Sequence, residues 1–263
     1  MVPKIIHYCW FGTKTPPILM LKCIESWKYY FPNWEIKLWN ENNSPMHLPY
    51  MENAYKNQKW SNLSNYTRLF ALKNEGGIYF DTDVEVIKPF DFLDKYDCFV
   101  GIESEPHNLP VSVNNAVLAS TPNHPFIIDC LNEIEANYDG AELANLSSPV
   151  VTTNVLVKNG LEKYGEQDIA GVHVFGMKAF YPYRWNDVFT YKCVTSETYA
   201  IHFWELSWKD KESEVKKLLS TTKSLEQQNT FLKNLLKNYV EGKISIKELL
   251  KINIRYFFSF FKK

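Results

Sequence analysis

Apolar and polar positions follow two different periods along most of the chain, and the changes of period predict strands that alternate with helices. A short apolar run over residues 3–11 is typical of a buried strand. Residues 18–30 then repeat apolar side chains at helical spacing, and residues 34–39 return to a strand pattern. A strand, a helix and a second strand in this order favour a right-handed crossover and a largely parallel sheet.

The sharpest change of pattern lies at residues 76–86, where a glycine pair precedes a short apolar run and two acids. The run predicts a buried strand that is entered from a tight turn and ends at Asp81, with Asp83 one residue further on. Side chains spaced in this way point in the same direction in an extended chain, and a small kink brings both towards one point. Carboxylates that close repel each other unless a cation neutralises them, and Mg²⁺ or Mn²⁺ suits oxygen ligands. The alternative is a pair of exposed acids in a strand-end turn.

The rest of the pattern completes an α/β layout. Helices are predicted over 50–59, 63–74 and 125–138, and strands over 98–102, 116–119, 172–175 and 199–203. Residues 149–157 fit either a helix or a strand, because Val and Thr dominate them. Strands that alternate with helices place ligands beyond their carboxyl ends, so Trp10 and Asp81 are expected near one edge of the sheet. The predicted fold class is therefore α/β, with a Rossmann-like mixed sheet flanked by helices.

The composition changes at Lys209, where Lys, Glu and Leu at helical spacing replace the strand patterns. We therefore predict a main domain over residues 1–208 and a helical C-terminal appendage over 209–263. The last residues, 252–263, combine aromatic rings with terminal lysines. This combination fits three arrangements: peripheral contact with a membrane, packing onto the main domain, or contact with a second subunit in a homo-oligomer.

Composition and charge narrow the classes of function. The chain has 263 residues, of which 45% are hydrophobic and 16% aromatic, so a packed core is expected rather than disorder. A net charge of −1 offers no global field for nucleic acid, and no nucleic-acid partner is predicted. The five cysteines are scattered and show no zinc-type pair, which favours reduced thiols. With no apolar run of spanning length and no evident secretory signal, we expect a cytoplasmic protein, peripheral at the inner face of the membrane.

Three separated segments resemble glycosyltransferase family 32, which includes capsular polysaccharide transferases. They are PKIIHYCWFG at 3–12, the stretch from LSNYTRL at 63–69 through GGIYFDTD at 76–83 to Lys88, and YAIHFW at 199–204 with Ser207 and Trp208. The resemblance covers roughly residues 3–208, and its middle segment is the most specific part. It implies the GT-A architecture, a divalent ion (Mn²⁺ or Mg²⁺) and a UDP-sugar donor.

The resemblance also implies roles for individual residues. Asp83 is expected to hold the divalent ion, and Asp81 to contact the ribose and the donor sugar. Trp10 is expected to stack on the uracil, with Tyr8 beside it in the nucleotide site. Arg68 is expected to hold the donor sugar and the diphosphate. On pattern alone, Trp10 also fits a core residue and Arg68 a solvated one.

The third segment is expected to close the site. His202 is the second predicted metal ligand, and Ser207 with Trp208 is predicted to complete the phosphate site. A histidine between apolar residues also fits a satisfied core position. The family places a sugar-facing polar residue at Asn114 or Asn115, and the sequence does not choose between them.

Asn65 is the clearest departure, because the family usually has Asp at this position. Asn keeps hydrogen-bonding capacity but lacks the charge that would orient Arg68 and accept from sugar hydroxyls. The departure indicates a different donor sugar, weakened activity, or a substitution introduced into the chain. We keep Asn65 in the predicted catalytic set with Arg68, Asp81 and Asp83.

The predicted function is retaining, metal-dependent transfer of a hexose from UDP-Gal or UDP-Glc to a growing surface glycan such as capsular polysaccharide. The acceptor is expected to be lipid-linked or an oligosaccharide. A phosphate-ester hydrolase is the rival enzyme, but the first strand does not end in the Asp nucleophile that such an enzyme would need. A sugar-binding or scaffold protein with weakened catalysis is the rival from a different class, and Asn65 keeps that alternative open.

Overall fold

The computed structural model describes residues 1–103, 110–185 and 187–205, which form five α-helices and nine strands. The helices are α1 (Ile18–Tyr30), α2 (Pro49–Lys56), α3 (Trp60–Glu75), α4 (Pro125–Asn137) and α5 (Pro149–Lys158). The strands are β1 (Ile5–Cys9), β2 (Glu35–Trp39), β3 (Gly77–Phe80), β4 (Val84–Val86), β5 (Cys98–Ile102), β6 (Val113–Ser120), β7 (Gln167–Ile169), β8 (Val172–Phe175) and β9 (Ala200–His202).

Seven strands form the main sheet in the order β2-β1-β3-β6-β5-β8-β7. The β1–β2, β1–β3 and β5–β8 pairs are parallel, whereas β6 pairs antiparallel with both β3 and β5, and β7 pairs antiparallel with β8. The α/β fold class with a mixed sheet flanked by helices is therefore confirmed. The expectation of a largely parallel sheet is wrong, because only half of the strand pairs are parallel.

The helices predicted over 50–59 and 63–74 are found with ends shifted by up to three residues, and three other predictions differ more instructively from the structure. The central strand predicted over 116–119 begins earlier, at Val113. The ambiguous stretch is helix α5, with Pro149 in its first turn, where proline is tolerated because that N–H has no partner inside the helix. The strand predicted over 199–203 does not join the main sheet, because β9 pairs with β4 in a separate two-stranded sheet.

The glycine pair at the start of β3 is required by close packing. Gly77 has φ +107°, and a Cβ there would lie 2.5 Å from the carbonyl oxygen of Ile5. This close approach allows β3 to pack directly against β1, and His7 is buried beside Gly77. Trp39 Nε1 donates to His7 Nδ1 at 3.0 Å, so the proton of the neutral ring lies on Nε2, which donates to the Gly76 carbonyl at 2.7 Å.

His7 is expected to make stability depend on pH. Burial lowers the pKa of His7 below its ordinary value, so the unfolded chain takes up the proton first. Stability contributed by the neutral ring is complete above a pH of about 6.5 and is lost as the pH falls below it. We expect His7→Gln to show a smaller loss of unfolding free energy between pH 7.5 and 5.5 than the parent chain, by urea denaturation at each pH.

Two other histidines bear on the result of that experiment. Burial also lowers the pKa of His124, so the His7→Gln chain keeps part of the pH dependence. His47 is exposed, and His47→Gln is the matched control that should behave like the parent. An unchanged pH dependence of stability in His7→Gln would contradict the assignment of His7 as a neutral ring with a hydrogen bond at each nitrogen.

The chain divides into two compact units, one built from residues 1–184 and 195–208 and the other including residues 185–194. The helices and strands named above all belong to the first unit, and a short 3-10 turn, Tyr191–Cys193, belongs to the second. The appendage predicted over 209–263 lies outside the described residues, and the domain boundary at 208 stays a prediction. Among the residues that the structure describes, no helix is both long and apolar enough to cross a membrane.

Candidate active site

The carboxyl ends of β1 and β3 meet at one edge of the main sheet. The two strands are parallel neighbours, with Ile6 opposite Ile78 and His7 opposite Tyr79. Trp10 therefore follows β1 at the same edge where Asp81 follows β3, as the sequence predicts. Trp10 is only half-buried, in contrast to a core tryptophan, and its Nε1 donates to the Lys14 carbonyl at 2.9 Å.

A tight turn between β3 and β4 brings the two acids together. Val84 N donates back to the Asp81 carbonyl at 3.1 Å, which reverses the local direction of the chain. β4 then pairs with β9, so that Val84 lies opposite His202. One ligand atom from each of Asp81, Asp83 and His202 lies within 4.8 Å of the others. The sequence predicts this convergence of the two carboxylates, but the pairing of β4 with β9 is seen only in the fold.

Asp83 is buried, and its carboxylate is held in the charged form. Its Oδ1 lies 3.3 Å from His202 Nε2, and its Oδ2 accepts from the Glu205 backbone N–H at 2.6 Å. Burial alone would raise the pKa of Asp83, but the positive charge of His202 and these hydrogen bonds outweigh it and lower the pKa below its ordinary value. The carboxylate is therefore ionised, as a metal ligand must be.

His202 shows the reciprocal effect. Burial would lower its pKa, but attraction to Asp83 outweighs burial and raises the pKa above the ordinary value. Its Nδ1 is buried and has no hydrogen-bond partner within the described part of the chain. Two carboxylates and an imidazole whose ligand atoms converge are a donor set that fits Mn²⁺ or Mg²⁺, with Mn²⁺ the better partner for imidazole.

Asp81 is tied to Arg68 and to its own strand. Its Oδ1 lies 3.2 Å from Arg68 Nη2 and accepts from the Tyr79 hydroxyl at 3.0 Å. Its backbone N–H donates to the Ala116 carbonyl at 2.8 Å, so β6 also fixes its position. The side chain is less buried than that of Asp83, with 29% of its surface exposed. Asp81 is therefore the member of the pair that a ligand can reach most readily.

Arg68 is not the solvated arginine of the alternative interpretation, because only 5% of its surface is exposed. Nη1 donates to the Asn115 carbonyl at 2.8 Å, and Nη2 donates to Asn65 Oδ1 at 3.1 Å. The guanidinium also lies 4.5 Å from the centroid of the Tyr79 ring, in cation–π range. The Arg68 guanidinium is therefore held in one orientation by contacts within the protein.

Asn65 orients Arg68 through its amide oxygen, although it lacks the charge of the family's Asp. Its Nδ2 donates to the Ala144 carbonyl at 2.8 Å and to Ser147 Oγ at 3.2 Å. A carboxylate could accept from Arg68 but could not donate to Ala144, so only an amide satisfies both neighbours. Asn65 therefore connects Arg68 to the loop before α5, and its membership of the catalytic set stays a prediction.

The remaining predicted residues are distributed as follows. Tyr8 is half-buried and packs edge-on against Trp27 at 5.6 Å, and its role in nucleotide binding stays a prediction. Asn115 is buried and bonded to Thr152 Oγ1, whereas Asn114 donates to Glu103 Oε2 at 2.7 Å. Ser207 and Trp208 lie outside the described residues. Tyr79 lies two residues before Asp81, within the motif that the sequence indicates. Glu103 and Tyr181 reach the site through Asn114 from segments farther along the chain, so no local pattern indicates them.

Two known protein families match separate parts of the chain. The family described as the glycosyltransferase sugar-binding region containing the DXD motif matches residues 17–100. A second family, described as the alpha 1,4-glycosyltransferase conserved region, matches residues 119–229. The first match contains Arg68, Asp81 and Asp83. These matches identify residues 17–100 and 119–229 as glycosyltransferase regions, the first of which contains the DXD motif.

Two curated relatives of this chain have ceramide lipids in their names. Inositol phosphoceramide mannosyltransferase 2 of Schizosaccharomyces pombe is 28% identical over 64% of this chain and 48% of its own length. Lactosylceramide 4-alpha-galactosyltransferase of Mus musculus is 31% identical over 62% of this chain and 45% of its own. The chain thus spans less than half the length of these two relatives. The solved PaToxG glycosyltransferase aligns with a TM-score of 0.47 and 22% identity, covering 60% of this chain and 69% of that one.

Proposed function

We propose that this chain transfers a hexose from a UDP-sugar to a hydroxyl of a glycan or glycolipid, with a divalent ion and with retention at the anomeric carbon. The observation that carries the proposal is the convergence of Asp81, Asp83 and His202 within 4.8 Å beside a buried Arg68. UDP-Gal and UDP-Glc are the donors we favour. The name of the mouse relative, a galactosyltransferase, supports the first of them.

In this proposal Asp83 and His202 hold the ion, which would neutralise charge on the departing nucleoside diphosphate. Arg68 contributes a second, fixed positive charge facing the diphosphate and the donor sugar. Asp81, anchored through Oδ1, contacts the ribose and the sugar. Trp10 and Tyr8 receive the uracil, because a half-buried indole beyond β1 offers a ring face for stacking.

We propose that the configuration of the anomeric carbon is retained because the acceptor attacks that carbon on the same face from which the diphosphate departs. The acceptor oxygen bonds to the anomeric carbon, the bond from that carbon to the diphosphate oxygen breaks, and the acceptor proton passes to the departing phosphate. A double displacement would instead need a carboxylate in line with the anomeric carbon. Asp81 and Asp83 are already committed to the ion and the donor. A glycosyl adduct on any Asp, Glu or Asn side chain would refute this proposal.

The acceptor is proposed to be lipid-linked or an oligosaccharide, as in the growth of a capsule. Ceramide lipids appear in the names of the fungal and mouse relatives, which supports an acceptor close to a membrane surface. We propose that the protein acts in the cytoplasm, at the inner face of a membrane. In that setting the aromatic and basic residues 252–263 would contact lipid.

Donor hydrolysis in the absence of acceptor tests the function. We expect slow release of UDP from UDP-Gal or UDP-Glc that depends on Mn²⁺ and stops with EDTA. A panel of UDP-sugars, each with and without Mn²⁺ and followed by UDP detection, makes the measurement. A scaffold protein would release no UDP from any of them, and metal-independent cleavage would exclude the proposed site chemistry.

A further inference from the structure

Strand β6 breaks its pairing with β5 next to the site. Val100 pairs with Leu118, but the next residue, Gly101, pairs with Asn114, so residues 115–117 have no partner in β5. On the other side of β6 the pairing with β3 continues without a break to Phe80 and Val117. The result is a bulge confined to one side of the strand, a feature that often re-aims groups beside active sites.

The bulge presents two carbonyls to the residues of the site. The Asn115 carbonyl accepts from Arg68 Nη1 at 2.8 Å, and the Ala116 carbonyl accepts from the Asp81 backbone N–H at 2.8 Å. The Ala116 carbonyl continues the pairing of β6 with β3, in which Phe80 lies opposite Val117, so it would face Asp81 in a regular strand too. The Asn115 carbonyl would face β5 in a regular strand, so its contact with Arg68 depends on the bulge, and the ion pair of Arg68 with Asp81 depends on it in turn.

One hydroxyl takes the place of the missing strand partner. Tyr181 Oη donates to the Asn114 carbonyl at 2.8 Å and accepts from the Val117 backbone N–H at 3.1 Å, so it spans both ends of the bulge. Its ring is fully buried and crosses β5 at Gly101, where a Cβ would lie 2.9 Å from Tyr181 Cε2. The glycine in β5 therefore gives the tyrosine room to reach the bulge.

The same segment also reaches the metal-ligand strand. The carbonyl of Phe180, the residue before Tyr181, accepts from the His202 backbone N–H at 3.2 Å. Residues 180 and 181 thus link β9 with the bulge of β6. We propose that Tyr181 is a positioning residue for glycosyl transfer, because its hydroxyl maintains the bulge that aims Arg68 and Asp81 at the donor. This inference rests on the proposed function.

Tyr181→Phe tests the inference, since the ring that fills the core is kept and only the hydroxyl is lost. We expect kcat for Mn²⁺-dependent UDP-sugar cleavage to fall by about tenfold to a hundredfold, because small displacements of positioned groups have effects of that size. The affinity for Mn²⁺ in the presence of UDP should stay unchanged within error, because the variant keeps the ring that packs edge-on against His202 at 5.8 Å. A loss of stability alone would not lower kcat while leaving the affinity for Mn²⁺ unchanged.

Tyr66→Phe is the matched control. Tyr66 is also buried, and its hydroxyl donates one hydrogen bond, to Glu135 Oε1 at 2.6 Å, away from the bulge. We expect this variant to keep the parent kcat even where its unfolding midpoint falls. Equal kcat in the parent, Tyr66→Phe and Tyr181→Phe would overturn the inference, as would equal losses in the two variants.

Gly101→Ala tests the same contact from the side of β5, because a Cβ there would lie 2.7 Å from Phe180 Cδ2 and 2.9 Å from Tyr181 Cε2. We expect kcat to fall, together with the affinity for Mn²⁺, because Phe180 and Tyr181 both contact His202. If Tyr181→Phe does not fold, this variant decides: reduced kcat supports the inference and unchanged kcat overturns it. A parent chain with no metal-dependent cleavage would overturn the proposed function itself, whereas an active parent with fully active variants would overturn only the role of Tyr181.

Discussion

Asp83→Asn is expected to lower metal-dependent UDP-sugar cleavage by roughly a thousandfold, because it removes the charge that holds the ion at the diphosphate. The amide oxygen can still accept from the Glu205 backbone N–H, which Asp83 Oδ2 does at 2.6 Å, so the local backbone should be preserved. The loss should therefore come from the chemistry rather than from unfolding. Steady-state cleavage over a range of Mn²⁺ concentrations measures it.

The control for this variant is Asp91→Asn. Asp91 accepts from the exposed Tyr199 hydroxyl at 3.2 Å and does not contact the cluster of Asp81, Asp83 and His202. Its variant should retain the activity of the parent chain. Asp83→Asn with full activity, or with a loss that Asp91→Asn shares, would show that the buried carboxylate is not the metal ligand.

Arg68→Ala is expected to damage both activity and stability. The variant leaves the Asn115 carbonyl, Asn65 Oδ1 and the Asp81 carboxylate without their shared donor. Removing one partner of a buried pair costs about 3–5 kcal/mol of unfolding free energy. Loss of a fixed positive charge facing the donor should lower turnover by roughly a hundredfold to a thousandfold. Urea denaturation and donor cleavage measure the two effects separately.

Lys37→Met is the matched control for Arg68→Ala. Lys37 forms an ion pair with Glu75 at 2.7 Å, at the end of α3 away from Arg68, and both side chains are about 30% exposed. We expect a loss of at most about 1 kcal/mol of unfolding free energy and no change in turnover. A turnover in Arg68→Ala equal to that of Lys37→Met would contradict a role for the guanidinium in the reaction.

The first part of the fold could be predicted because local signals there agree with one another. The glycine pair, the apolar run before Asp81 and the helical spacing of α1 each indicate the same layout of strands and helices. The short distance between Asp81 and Asp83 followed from their spacing and one turn. Parallel pairing of β1 with β3 then placed Trp10 and Asp81 at one edge.

Contacts between distant segments could not be predicted from the chain. Whether residues 149–157 form a helix depends on packing against α4 and β6, which a run of Val and Thr does not encode. The pairing of β9 with β4 moved the predicted strand at 199–203 out of the main sheet. The hydrogen bonds of Asn65 and Tyr181 could not be predicted either, because they reach Ala144 and Asn114, which are far away in sequence.

Calorimetric titration of UDP into the parent chain, with and without Mn²⁺, tests the central claim most directly. A cation held by Asp83 and His202 that also contacts the diphosphate must strengthen UDP binding, and UDP must strengthen Mn²⁺ binding by the same factor. We predict that each ligand tightens the other by at least about tenfold, and that this mutual effect disappears in Asp83→Asn. Equal affinity for UDP with and without Mn²⁺ would contradict the account.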